Sequence, residues 1–408
     1  MRVLLIMMAV LAVASCEEAR NVDWAATPTS LKVTIVEGQG PEGEVLPLSS
    51  EGRQLKLDLV LLPALGEGAV RTNNEVELFA RPGKLEGQTK VPLFNGVAHG
   101  VVVTLKGAFG DTRIWARDEV TGVTGVSDVI RFATPSVAEV QGDEVCSPME
   151  DEFVVIASGD LVVTGVGTNG MTVSDVSTLD DKGRPMPKAS VYVYSFSRPM
   201  SLPNCTDSEE GESLACLSHS LVPVGVCDRV RNLAGGIHAF NGYTEFTFPS
   251  WELVQWDPGT PCPVPEPFEL TELSCNELSG PGLLKYEGAL VRVRDVVVDC
   301  TKGDACREDS KFVKYGEWYV RLSNGACKTA KLYVVSQNGA PDFDPFAPEN
   351  SHIKAITGTL KTLYFSPNPD DKCAMGGDFS WIIEPRCPDD IRVKEDPLPV
   401  KESCLPVR

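Results

Sequence analysis

Twelve cysteines, all beyond residue 145, constrain this chain more than any other feature: Cys146, Cys205, Cys216, Cys227, Cys262, Cys275, Cys300, Cys306, Cys327, Cys373, Cys387 and Cys404. A thirteenth, Cys16, stands alone near the amino terminus, and no Cys lies between Glu17 and Val145. An even set of cysteines in an exported chain reads as a disulfide framework. A structural zinc site wants close pairs such as C-x2-C, and no such pair, haem-attachment motif or H-E-x-x-H helix is present. The twelve are therefore expected to be disulfide-bonded, with no metal. Cys300 with Cys306 and Cys205 with Cys216 are candidate loop staples. The asymmetry predicts a domain boundary near Cys146.

Export is written at the start of the chain. Arg2 supplies a positive charge, and Val3 to Val13 is an apolar run. This run is too short for a bilayer core of roughly 30 Å, which needs about 20 residues, but it suits a secretory signal. Val13-Ala14-Ser15-Cys16 then resembles the lipobox of bacterial lipoproteins. The resemblance implies that residues 1–15 are removed, that Cys16 becomes an acylated (palmitate-type) amino terminus, and that residues 16–29 form a tether. Several acyl chains on one residue hold a protein stably on a membrane. Glu17 in place of Asp leans the expected localisation towards the outer membrane of a Gram-negative cell envelope.

Residues 30–136 alternate with period two. Leu31, Val33 and Ile35 form one series; Leu55, Leu57, Leu59 and Leu61 a second; Val76, Leu78 and Ala80 a third. Each predicts a strand with one buried face. Turn signals at Gly38–Pro41, Asn73-Asn74, Pro82-Gly83 and 109–111 separate them. About seven short strands in about 105 residues is the rhythm of an immunoglobulin-like sandwich. Residues 110–118 and 125–132 resemble the last two strands of Ig-like modules in bacterial surface proteins, which implies a spacer or a binding unit.

Beyond Cys146 the β pattern continues. Asn169-Gly170 and Asn241-Gly242 are hairpin signals. The opening hairpin, Tyr192-Val193-Tyr194, residues 225–230 and residues 240–246 resemble the OB-fold domains of bacterial extracellular proteins. A second round follows in residues 286–298, 317–322, 331–335, 352–360 and 381–391. The overall expectation is all-β and disulfide-rich: an Ig-like sandwich, an OB-like barrel at 146–256, a Pro-rich linker at 257–279, a second OB-like barrel at 280–393 and a tail at 394–408. OB-folds bind oligonucleotides or oligosaccharides on one face. Tyr192, Tyr194, Phe196 and Tyr243 are the candidate binding face, with Phe246 and Phe248 beside them. The competing reading makes these aromatics sheet-packing residues.

No catalytic constellation is marked. There is no phosphate loop, dinucleotide fingerprint or G-x-S-x-G elbow, and the four His (His99, His219, His238, His352) lie in unrelated segments. Asp342, Asp344, Asp370 and Asp371 lack the spacing of a calcium loop. A formal charge of −20 with no basic run disfavours nucleic acid, whose binding relies on cationic surface. No cofactor is expected. The sequence points to a non-catalytic surface lipoprotein that binds protein or glycan. The alternative is an accessory module guiding nucleic acid for an exported nuclease or phosphodiesterase.

Overall fold

The computed structural model describes residues 27–406 apart from 42, 49–51, 66–67, 203–219, 301–302, 324–326 and 328–329. Cys16, Cys205 and Cys216 lie outside the described residues, as do residues 1–15, expected to be a signal segment, and most of residues 16–29, expected to be a tether. The protein is all-β and divides into two compact units, residues 1–133 and 134–408. Among the described residues no helix is long and apolar enough to cross a membrane.

Among its described residues the first unit holds nine strands: β1 (Pro28–Glu37), β2 (Arg53–Pro63), β3 (Glu75–Arg81), β4 (Lys84–Gly87), β5 (Lys90–Pro92), β6 (Val97–Lys106), β7 (Asp111–Asp118), β8 (Thr124–Val126) and β9 (Ile130–Arg131). One sheet runs β1-β2-β6-β4. The other runs β5-β3-β7-β8, with β9 also on β7. The alternation explains the packing. Leu55, Leu57, Leu59 and Leu61 project from one face of β2 and meet Val76, Leu78, Ala80, Ile114 and Ala116 in a single core. The intervening Lys56 and Asp58 face outward, where Lys56 pairs with Glu37 and Asp58 with His99. Gly125 is required by proximity, since a Cβ there would stand 1.7 Å from the Leu31 carbonyl oxygen.

The second unit begins with a short helix, α1 (Val137–Gln141), closed by a capping box in which Ser136 and Glu139 satisfy each other's backbone. Two curled sheets follow. The first contains β10 (Phe153–Ile156), β11 (Leu161–Val166), β12 (Gly170–Asp175), β13 (Ser190–Tyr194), β16 (Arg229–Phe240) and β17 (Tyr243–Val254); β14 (Met200–Ser201) and β15 (Val222–Pro223) pair with each other. Because β16 pairs with both β11 and β17, the strands close a ring β11-β12-β13-β17-β16, in which only β13–β17 is parallel. Two register shifts in β16, at Arg231/Ala234 and Ala234/Gly236, supply the bend. The Asn241-Gly242 turn has positive φ at both residues, 51° and 76°, as a tight hairpin demands.

The second sheet contains β18 (Phe268–Glu269), β19 (Leu290–Val298), β20 (Glu317–Leu322), β21 (Lys331–Val335), β22 (His352–Phe365), β23 (Asp378–Glu384) and β24 (Ile391–Arg392), with helix α2 (Ser310–Tyr315) leading into β20. It closes in the same order, β19-β20-β21-β23-β22, again with one parallel pair, β21–β23. Trp318, fully buried, fills its interior and donates its Nε1–H to Ser336 Oγ at 3.2 Å.

The stretch expected to be a spacer between the two rounds is packed into the body. Cys262, Val264, Leu270 and Leu278 are buried, and Phe268–Glu269 pairs with β19. The prolines are compatible with this because most of the stretch is not in a ladder and needs few backbone donors. Five disulfides join the ten described cysteines of this unit: Cys146–Cys373, Cys227–Cys262, Cys275–Cys327, Cys300–Cys306 and Cys387–Cys404. The first closes the longest loop, with a sequence separation of 227, and ties the entry of the first ring to the β22–β23 connection of the second. The last pins the tail, where Val400 is buried.

Candidate ligand cleft

The two rings of the second unit meet along β12, β13 and β17 on one side and β22 and β23 on the other. Their backbones touch where Tyr364 N donates to the Asn241 carbonyl at 2.7 Å. Hydroxyls of Thr172 and Thr359 are 3.3 Å apart across the seam. Between these contacts the rings separate, and a cleft of about 360 Å³ opens, walled by Tyr192, Tyr194, Phe240, Tyr243, Glu245 and Lys361. Three of the four aromatic residues expected on a binding face therefore line one cavity.

Local structure explains the convergence. On β13, Val191 and Val193 point into the ring while Tyr192 and Tyr194 point outward. Tyr192 is in register with Glu245 of the parallel strand β17, so both side chains stand on the same outer face. The rings of Tyr192 and Tyr243 lie 5.5 Å apart. The Tyr192 hydroxyl donates to Asn169 Oδ1 at 2.9 Å. Burial, with the carboxylates of Glu384 and Glu245 nearby, pushes the Tyr192 phenol well up, and burial does the same to Tyr243.

Phe196 and Phe246 fall elsewhere. Phe246, expected beside the platform, is fully buried inside the ring, because Tyr243 and Glu245 take the outward positions of β17 and Phe246 the inward one. Phe196 lies beyond the end of β13, 57% exposed, with φ 62°. Its ring packs on Tyr194 at 4.6 Å and on Phe248 at 5.1 Å. Phe248 is 79% exposed and also has positive φ, 48°. Two bulky residues in the left-handed region cost free energy, and their reward is an aromatic cluster outside the cleft mouth, joined to it through Tyr194.

The charged members of the site were not singled out by the sequence. Lys361 on β22 places its ammonium 4.7 Å from the centre of the Tyr192 ring and forms an ion pair with Glu384 of β23. Burial opposes charge on Glu384, but Lys361 and the Asn338 amide, at 2.8 Å, hold its carboxyl below the ordinary range. Glu245 differs. Burial raises its carboxyl to about 7, only partly offset by Lys361. Glu287, at the base of the seam, is pushed up to about 8 by burial, although it accepts hydrogen bonds from Thr362 Oγ1 and from Thr244 N at 3.1 Å. The signal that could have found these residues is a charge inside an apolar strand: Thr244-Glu245-Phe246, Leu360-Lys361-Thr362 and Ile383-Glu384-Pro385.

Among the described residues, two other groupings bring potential metal ligands together. In one, Cys387 and Cys404 form a disulfide, and Asp390 is engaged by Arg386. In the other, Glu150, Asp151 and His238 converge, and the Lys372 ammonium bonds Glu150 there. Asp344, weighed as a calcium ligand, accepts from Arg307 at 2.8 Å.

No protein-family model matches this chain, and neither a curated protein nor a solved structure is detectably similar to it.

Proposed function

We propose that this chain is an exported, lipid-anchored envelope protein that binds rather than catalyses, and that the cleft between its two rings is a glycan site. The carrying observation is the meeting of Tyr192, Tyr194 and Tyr243 with Lys361 and Glu245 in one cavity. Sugars present C–H-rich faces that stack on aromatic rings and hydroxyl edges that need fixed polar partners; the cleft offers both. Its volume falls in the range of small-molecule sites, about 300–1,000 Å³. The shared strand order, with one parallel pair closing each ring, supports reading the rings as OB-like barrels, an architecture used for oligosaccharides as well as oligonucleotides. The two antiparallel sheets of the first unit support reading it as an Ig-like spacer. Against a nucleic-acid strand stands the Glu245 carboxyl at the cleft, with the neighbouring Lys361 ammonium already paired with Glu384 and not left over for a phosphate.

Two measurements test this reading. Calorimetric titration with envelope oligosaccharides should show saturable binding that Tyr192→Ala weakens at least about tenfold, the equivalent of about 1.4 kcal/mol. Binding untouched by that substitution would remove the cleft from consideration. The intact mass of membrane-extracted protein should correspond to a chain beginning at an acylated Cys16; a full-length, unacylated chain would end the lipoprotein reading.

A further inference from the structure

Among the described residues, Glu245 makes neither a side-chain hydrogen bond nor an ion pair, although only 7% of it is exposed and it opens onto the cleft. Largely withdrawn from water and without a partner, the carboxyl is pushed towards protonation by its burial, and a cation entering the cleft would restore its charge. The neighbouring charges do not supply one. Lys361 is engaged with Glu384, so of the three charges at the cleft two neutralise each other and one carboxylate is left over. The aromatic faces of Tyr192, Tyr194 and Tyr243 surround the same space. A carboxylate set among aromatic rings is the chemistry that recognises an ammonium ion: it offers a charge-assisted hydrogen bond and cation–π contact together.

We propose that the glycan bound in this cleft is an amino sugar with a free, protonated amine, and that Glu245 is its counter-ion. This rests on the glycan reading of the cleft and narrows it. An N-acetylated sugar would leave Glu245 without a cation. A sulfated or uronic sugar would bring an anion against Glu245, with Lys361 already committed to Glu384. A lysine side chain on a protein partner would satisfy Glu245, but its apolar stem would offer no acceptor to the Asn169 amide NH2, the amide oxygen being already taken by the Tyr192 hydroxyl.

The test is calorimetric titration of the folded, full-length protein with glucosamine oligomers, with N-acetylglucosamine oligomers of the same length, and with a lysine-containing peptide. The deacetylated oligomer should bind at least about tenfold more tightly than the acetylated one, the scale of one charge-assisted contact. Glu245→Gln should bring that ratio to about one, with a thermal melt confirming that the variant is folded. Equal affinity for the two oligomers in the unsubstituted protein overturns the amine assignment and leaves the glycan reading standing. Binding of neither oligomer defeats both, and Glu245-dependent binding of the peptide alone would reassign the cleft to a protein partner.

Discussion

Arg386→Ala will destabilise the second unit by roughly 3–5 kcal/mol, the cost of stripping one partner from a buried ion pair. The Arg386 side chain is 2% exposed and that of Asp390 1%. The guanidinium grips the carboxylate with both ends of its fork, Nε to Oδ2 at 2.8 Å and Nη2 to Oδ1 at 2.9 Å. The same group donates to Ser403 Oγ at 2.9 Å and to the Thr164 carbonyl at 3.2 Å. One side chain thus joins the exit of β23, the disulfide-pinned tail and strand β11 of the other ring. Alanine would leave Asp390 buried with only the Arg386 backbone N–H, at 2.9 Å, to stabilise its charge. Replacing both members with apolar residues of similar volume should recover much of the loss, because the desolvation penalty goes with the charges. Arg386→Lys should recover only part, since an ammonium cannot reproduce the planar fork. Denaturant unfolding of the single and double variants measures this. Single-variant losses below about 1 kcal/mol would mean that water reaches the pair and that it behaves as a surface bridge.

The reach of the sequence ends where sheet residues stop facing either core or solvent. In the first unit the long central strands have one buried and one wet face, so period-two alternation identifies Leu55, Leu57, Leu59 and Leu61 as core, and all four are buried. In the second unit the outer faces of β13 and β17 are covered by the other ring. There Tyr192 is as buried as a core residue, and alternation alone could not separate a packing aromatic from a cleft wall. The same covering hides Glu245, Glu287 and Lys361, which read locally as surface charges because their burial comes from residues more than a hundred positions away or from another strand's register. At Asn169-Gly170 the Gly already opens β12 and neither residue takes a positive φ, whereas the Asn241-Gly242 turn was legible because its backbone demands are local. Cys300–Cys306 was nameable for the same reason, whereas Cys146–Cys373 depends on how two rings meet and has no trace in spacing. Phe196 was expected to continue the face of Tyr192 and Tyr194; its positive φ ends the strand instead, a local choice that the run of aromatics concealed.

Glu287→Gln will raise stability increasingly as the pH climbs above the ordinary carboxyl value of 4.5 and leave it nearly unchanged below that value. Glu287 is 3% exposed, and burial lifts its carboxyl from an ordinary 4.5 to about 8. The folded protein therefore holds a proton that the unfolded chain releases above the lower value. The sign follows from linkage: stability associated with this group is fully present below the unfolded pKa and is lost as pH rises through the folded one. A tenfold difference in proton affinity between the folded and unfolded chains corresponds to about 1.36 kcal/mol, so the loss across the window amounts to a few kcal/mol. Glutamine has the shape of the protonated acid. Its amide oxygen can accept from Thr244 N–H, and its amide nitrogen can donate to the Thr362 hydroxyl, which then serves as acceptor. Unfolding midpoints measured from about pH 5 to about pH 9 should decline less steeply for the variant, with the two curves diverging above the unfolded pKa. Glu245, raised to about 7 by its own burial, remains in both proteins and tilts both profiles the same way, so the difference between them isolates Glu287. A parallel pair of profiles would mean that Glu287 is charged throughout, and the seam between the rings would then need a cation beside it.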